Sequence, residues 1–168
     1  TARAASILLA ENASMHALCT GRDANGTLVS PKLLAPKLPQ FAVPTTPTTA
    51  TVKAGSAVLD PVNKARLALF DPKTRAQAVF VHAKLLATPP RELVASAGLN
   101  TLAMVVEGLM SHQGDPFSDA LLTHAASCLV QHLPHADDAD ARADLMLASL
   151  MCGHATDFTG AGIAIPLG

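Results

Sequence analysis

Asn100 and Met104 lie four residues apart in the run Ala-Gly-Leu-Asn-Thr-Leu-Ala-Met-Val-Val-Glu-Gly from Ala97 to Gly108, and Glu107 follows three residues later. Residues three and four apart share one face of a helix, so this amide, thioether and carboxylate are expected to point into one common space, an active-site cleft. Gly98 reads as the entry to that helix. Neither a neutral amide nor a thioether compensates the charge of a divalent cation, so no metal is expected on this face.

The other chemistry-bearing residues are scattered. His124 and His132 are about two helical turns apart and His135 follows, but no Cys or carboxylate completes a ligand spacing, so they read as surface histidines. Cys19, Cys128 and Cys152 are odd in number and widely spaced, which fits reduced thiols in the cytoplasm better than a disulfide framework. There is no Gly-x-Ser-x-Gly elbow and no Walker loop, so hydrolase and nucleoside-triphosphatase readings have no support.

With 168 residues, 49% of them hydrophobic, the chain is long enough for a sizeable core. A net charge of −1 leaves no basic patch for nucleic acid, and the absence of Trp and Tyr removes a stacking platform for single strands. The partner is expected to be a small molecule. No apolar run reaches the roughly 18 residues of a membrane span, and the amino terminus lacks a signal-peptide pattern, so no membrane association is expected. Starting at Thr1, the chain reads as processed or truncated.

The elements that position these residues follow from local pattern. Ala2 to Ala10 is an Ala/Leu run without a breaker and predicts a helix. Glu11 to Gly26 reads as irregular with a turn at Asn25-Gly26, and Pro31, Pro36 and Pro39 prevent any long element. Gln40 to Val43, Ser56 to Leu59, Arg66 to Phe70 and Ala78 to Val81 predict strands. Beyond Pro89-Pro90 the pattern is helical: Arg91 to Ala97, Leu99 to Met110, Pro116 to Leu133, and Asp137 to about Thr159. Asp115-Pro116 and Asp137-Asp138 are helix-start signals, and Leu121, Leu122, Ala125, Leu129 with Leu145, Ala148, Met151, Cys152 form apolar faces for a bundle. The tract Pro44-Thr45-Thr46-Pro47-Thr48-Thr49-Ala50-Thr51 reads by composition as a Thr/Pro linker.

Taken together, these segments resemble the iron-containing (group III) alcohol dehydrogenase superfamily, including its metal-independent maleylacetate-reductase branch. Gly98, Asn100, Leu102, Met104 and Glu107 are similar to the family's Gly-x-Asp-Ala-x-x-His-Ala-x-Glu helix, with Asn and Met where it has ligands. Val43 to Thr51 resembles the family's second nucleotide-contacting loop, Pro-Thr-Thr-Ala-Gly-Thr-Gly-Ser-Glu, although Thr48 and Ala50 replace glycines and Val52 replaces Glu. Thr1-Ala2-Arg3 looks like the turn just after the family's Gly-Gly-Gly-Ser phosphate loop, which would place those glycines upstream.

The resemblance implies an incomplete α/β nucleotide-binding part over residues 1–90 and part of an all-helical domain over residues 91–168. It implies NAD or NADP as cofactor, with Thr45, Thr46, Thr49 and Thr51 donating hydroxyls to it. Lys64 is a further candidate for its phosphates, although a lone Lys between strands more commonly sits in a solvated turn. The family's Asp and three His ligands fall, where testable, on Asn100, Met104 and Ile165, so these positions become a substrate cleft without metal. His154, on the late helix, is the candidate general acid, with a core or rim histidine as the plainer reading. The implied activity is metal-independent NAD(P)-linked reduction of a small-molecule carbonyl, in a cytoplasmic protein for which a homodimer is one arrangement. The alternative is a catalytically degenerate homologue serving as a binding or assembly module.

Overall fold

The computed structural model describes residues 2–159, so Ile165 lies outside the described residues. The chain forms two compact units, one of Thr1–Phe41 with Ala54–Ala78 and one of Ala42–Lys53 with Val79–Gly168. The division is therefore not a single cut at Pro90. The Thr/Pro tract belongs with the helices.

In the first unit, α1 (Ala2–Glu11) forms from its unbroken Ala/Leu run, and α2 (Met15–Leu18) starts at Ser14, whose Oγ accepts from the Ala17 N–H at 3.4 Å. The stretch expected to be irregular thus holds a helical turn, and after it a hairpin of β1 (Gly21–Arg22) and β2 (Leu28–Val29). Asp23 closes that hairpin by accepting from the N–H groups of Asn25 and Thr27, both at 2.9 Å, and Gly26 takes φ 78°. Beyond them come β3 (Gln40–Ala42), β4 (Gly55–Leu59), β5 (Arg66–Phe70) and β6 (Ala76–Val79).

β4 and β5 pair antiparallel from Gly55↔Phe70 to Leu59↔Arg66, and β3 pairs with β6. The small α/β part is present as expected, but as three separate two-stranded ladders rather than one layer. The β4–β5 connection is too short for a parallel crossover and allows only a hairpin. β6 begins two residues earlier than expected because the 3-10 turn at Pro72–Thr74, capped by Asp71, already ends at Arg75. Ala4, Ile7, Leu18, Leu33 and Leu69 form this unit's core.

The second unit is the expected helical bundle: α3 (Ala83–Leu86), α4 (Arg91–Leu109), α5 (Pro116–His132) and α6 (Ala139–Ala155). Asp115 begins α5 with a reciprocal capping box with Ser118, and Asp138 caps α6 through the Ala141 N–H. Val94, Val105, Leu122, Ala125, Leu129, Leu145, Ala148 and Cys152 are fully buried in one core. Each large aliphatic side chain there contributes roughly 1.5–3 kcal/mol. Arg142 is buried and donates to the carbonyls of Ala136, Leu86 and Pro89 at 2.7, 2.8 and 2.9 Å, tying the start of α6 to the chain entering α4.

Gly98 is not a helix entry. It is buried inside α4, which runs unbroken through both predicted helices, and a Cβ there would stand 2.6 Å from Leu133 Cδ2. The glycine admits a close neighbour, which a local reading mistakes for a boundary. The joined helix has 19 residues and a mean hydropathy of 1.2, long and apolar enough to cross a membrane. Here its inner face is packed in the bundle, where Val94 and Val105 are fully buried.

Candidate functional site: a threonine turn on the helical bundle

Pro44 to Thr48 leads into a 3-10 turn at Thr49–Val52. Replacement of glycine by Thr48 and Ala50 costs the backbone nothing: Thr48 is extended (φ −128°, ψ 134°) and no non-glycine residue of the turn has positive φ. Instead Thr48 caps the turn, its Oγ1 accepting from the Ala50 N–H at 3.3 Å. Thr51 Oγ1 donates to the Thr48 carbonyl at 3.3 Å, and Thr49 Oγ1 donates to Met104 Sδ at 3.6 Å.

Of the four threonines named from the sequence, Thr49 and Thr51 therefore point inward, with their hydroxyls engaged within the unit. Thr45 is exposed and Thr46 half-buried, and neither hydroxyl has a protein partner among the described residues. The tract is neither a loose linker nor a row of four free donors.

Three features fix the turn to the helices. Thr49 reaches Met104 on α4. Gly153 of α6 receives the turn so closely that a Cβ would overlap Val52 Cγ2 and stand 3.0 Å from the Thr49 carbonyl oxygen. Lys53 Nζ, just after the turn, donates to Thr156 Oγ1 at 2.8 Å and pairs with Asp157 at 2.9 Å at the end of α6. Sequence reasoning missed Lys53 and Asp157; no local signal joins residues 104 apart in the chain.

Met104 is 6% exposed, whereas Asn100 is exposed and Glu107 half-buried. The three share a helix but not an enclosed space, because the thioether turns into the core beneath Thr49 while the Asn100 side chain is exposed. His154 is exposed, one residue past the Gly153 contact and outside the core. Cys152 is buried, its Sγ donating to the Thr101 carbonyl at 3.8 Å, and burial, opposed in part by Lys53, pushes the thiol up to about 12. Lys64 belongs to the other unit, exposed in the β4–β5 turn with φ 53°, which fits the solvated-turn reading.

Of His124, His132 and His135, two stand beside a partner side chain. His132 Nε2 stands 3.4 Å from Asp144 Oδ2 across α5 and α6, and His124 Nε2 is 3.7 Å from Cys128 Sγ. The i, i+4 spacing of the second pair was a readable signal. Among the described residues no group of three or more His, Cys, Asp or Glu could hold a metal ion. With an exposed amide at Asn100 and a core thioether at Met104, the side chains at these two positions do not fit a hard divalent cation.

The comparisons with known proteins agree on one kind of relative. The chain is 28% identical over 127 residues to 1-propanol dehydrogenase PduQ of Salmonella typhimurium, 73% of this chain and 34% of that protein. It is 28% identical over 140 residues to lactaldehyde reductase of Escherichia coli, 79% and 37%. It is 29% identical over 118 residues to an NADPH-dependent butanol dehydrogenase of Clostridium saccharobutylicum, 68% and 30%. Among solved structures, an iron-containing alcohol dehydrogenase matches with TM-score 0.74 and 26% identity, over 95% of this chain and 42% of that one.

The chain is similar to alcohol dehydrogenases and aldehyde reductases, an iron-containing alcohol dehydrogenase among them. A sulfoacetaldehyde reductase of Bifidobacterium kashiwanohense, solved in complex with NAD+, shares the fold at TM-score 0.73 and 22% identity, over 91% of this chain and 41% of that one. No family model matches the chain. The chain spans about a third of the length of the curated relatives it matches.

Proposed function

We propose that the chain takes part in an NAD(P)-linked oxidoreductase acting on a small alcohol or aldehyde, and that the turn at Thr45 to Val52 is its dinucleotide-contacting element. One observation carries the reading: the turn is fixed to α4 and α6, yet the hydroxyls of Thr45 and Thr46 have no partner among the described residues. Rigidly held donors are what recognition of ribose and phosphate oxygens requires. The names of the relatives support the same class of chemistry, an NADPH-dependent butanol dehydrogenase among them.

When bound, the dinucleotide supplies or accepts the hydride. The chain's own residues orient it. Thr45 and Thr46 donate to its polar groups, Thr49 and Met104 fix the turn from below, and Asn100 offers an exposed amide that donates to a substrate oxygen. His154, exposed at the end of α6, is the candidate proton donor. No step is routed through a metal, because Asn100 and Met104 make a poor ligand pair, and metal independence is part of the proposal.

The test is titration of the 168-residue chain with NADH and with NADPH, followed by fluorescence. The parent is expected to bind one of them, and the Thr45→Val/Thr46→Val pair to weaken binding at least about tenfold, on the order of two lost hydrogen bonds. A parent that binds neither dinucleotide, or a double variant that binds as the parent does, would overturn the reading. His154→Gln should lower turnover of an aldehyde while leaving dinucleotide affinity unchanged.

A further inference from the structure

We infer that Lys53 is a positioning residue for the threonine turn, holding Thr45 and Thr46 in register through its pair with Asp157 and its hydrogen bond to Thr156. This goes beyond the proposed function, and rests on it only in taking the dinucleotide as the ligand that registers the effect. Lys53 Nζ lies 2.8 Å from Thr156 Oγ1 and 2.9 Å from Asp157 Oδ1, and the Lys53 and Asp157 side chains are only 20% and 25% exposed. The ammonium thus sits at the C-terminal end of α6, where the helix dipole and a carboxylate both favour a cation.

The other two ties are weaker or non-directional. The Thr49 hydroxyl donates to a thioether, a poor acceptor, and the Gly153 notch is a packing contact. The segment from Pro44 to Thr48 bends at Thr45 and Thr46 and carries the buried Pro47 into the turn. Lys53 closes the far end of the turn with a charged link between residues 104 apart in sequence. With two of its three ammonium protons engaged by α6, Lys53 acts through the turn and not by touching phosphate.

The experiment uses the 168-residue chain and four variants: Lys53→Met, Lys53→Arg, Asp157→Asn, and the Lys53→Met/Asp157→Asn pair. Two readouts are taken, NADH or NADPH affinity and amide hydrogen exchange over residues 44–53. Lys53→Met and Asp157→Asn should each weaken dinucleotide binding about tenfold and speed exchange in the turn by a similar factor, with exchange in the α4–α6 core unchanged. The pair should be no worse than either single variant, and Lys53→Arg should recover both readouts to within about threefold.

A direct phosphate contact predicts otherwise: Lys53→Met would weaken binding while Asp157→Asn, which frees the ammonium, would leave it unchanged or tighter. That result overturns the inference, as does unaltered exchange over 44–53 in Lys53→Met. If the parent binds neither dinucleotide, the functional proposal fails by itself. The exchange readout then still decides whether Lys53 positions the turn.

Discussion

Lys37 has no exposed side-chain surface, and its ammonium meets Glu11 at 2.6 Å, Asp71 at 3.1 Å and the Ala35 carbonyl at 2.7 Å. The Lys37 hydrogen bond holds the Glu11 carboxyl below its ordinary range. For Asp71, burial acts upward but is outweighed by the Lys73 N–H and the two ammonium groups, so it too is held low. Burial acts downward on Lys37, yet the two carboxylates leave it raised. The lowered carboxyls stabilise the unit above about pH 4, and that stability is lost as pH falls through their folded values; the raised Lys37 contributes below about pH 10 and is lost as pH rises further. Lys37→Met should destabilise the unit at neutral pH, because Glu11 loses its ammonium partner and the buried Asp71 keeps only Lys73. The gap between variant and parent should narrow as pH falls through the folded values of those carboxyls, and urea melts across pH check the sign. At Asn100 the exposed amide leads to the opposite expectation from a cleft floor: Asn100→Asp should change stability by less than about 0.5 kcal/mol, as surface substitutions do. A loss of several kcal/mol would show that this side chain is enclosed after all.

At the scale of elements, the glycines separate two kinds of close approach. A Cβ on Gly98 meets the far methyl of Leu133, a flexible end, and alanine adds about 1 kcal/mol of helix propensity, so Gly98→Ala should fall within about 1 kcal/mol of the parent. A Cβ on Gly153 meets β-branched Val52 and the Thr49 backbone, neither of which moves freely. Gly153→Ala should therefore cost 2 kcal/mol or more by roughly the usual penalty for overpacking, and should lift the threonine turn off α6. Equal effects of the two changes in chemical denaturation would count against this packing. The helix starts are simpler. Asp115→Ala removes the acceptor for the Phe117 and Ser118 N–H groups, each at 2.8 Å, and is expected to cost about 1 kcal/mol.

For the whole molecule, the two units differ in how much they bury. The core of the first is five apolar side chains behind two-stranded ladders, an arrangement that is marginal without further support. The core cluster of the helical unit holds eleven among the described residues, from Val94 to Ala155. Heating should therefore release the first unit before the second, and amide exchange should be slowest in α4, α5 and α6. A single transition with uniform protection in both units would contradict this order. Leu28, Phe41, Leu59 and Val62 are all more than half exposed in the first unit, so its release should also coincide with the onset of aggregation.

What the sequence determined by itself was local. Asp115-Pro116 and Asp138 set helix starts because a carboxylate satisfies free N–H groups wherever the chain runs. The apolar spacing of Leu122, Ala125 and Leu129 fixed which side of α5 is buried, and the order of motifs along the chain resembles that of the iron-containing alcohol dehydrogenases. Only the tertiary structure decided the rest. Gly98 looked like a boundary and proved to be a packing notch, since a glycine's meaning depends on the side chain that approaches it from elsewhere. Thr49 and Thr51 looked like ligand donors and turned inward, because their acceptors, Met104 Sδ and the Thr48 carbonyl, come into reach only once the turn is folded onto α4. Lys53 carried no motif at all: a cation acquires a role only when a distant helix end is brought to it, and no periodicity encodes a pairing across 104 residues.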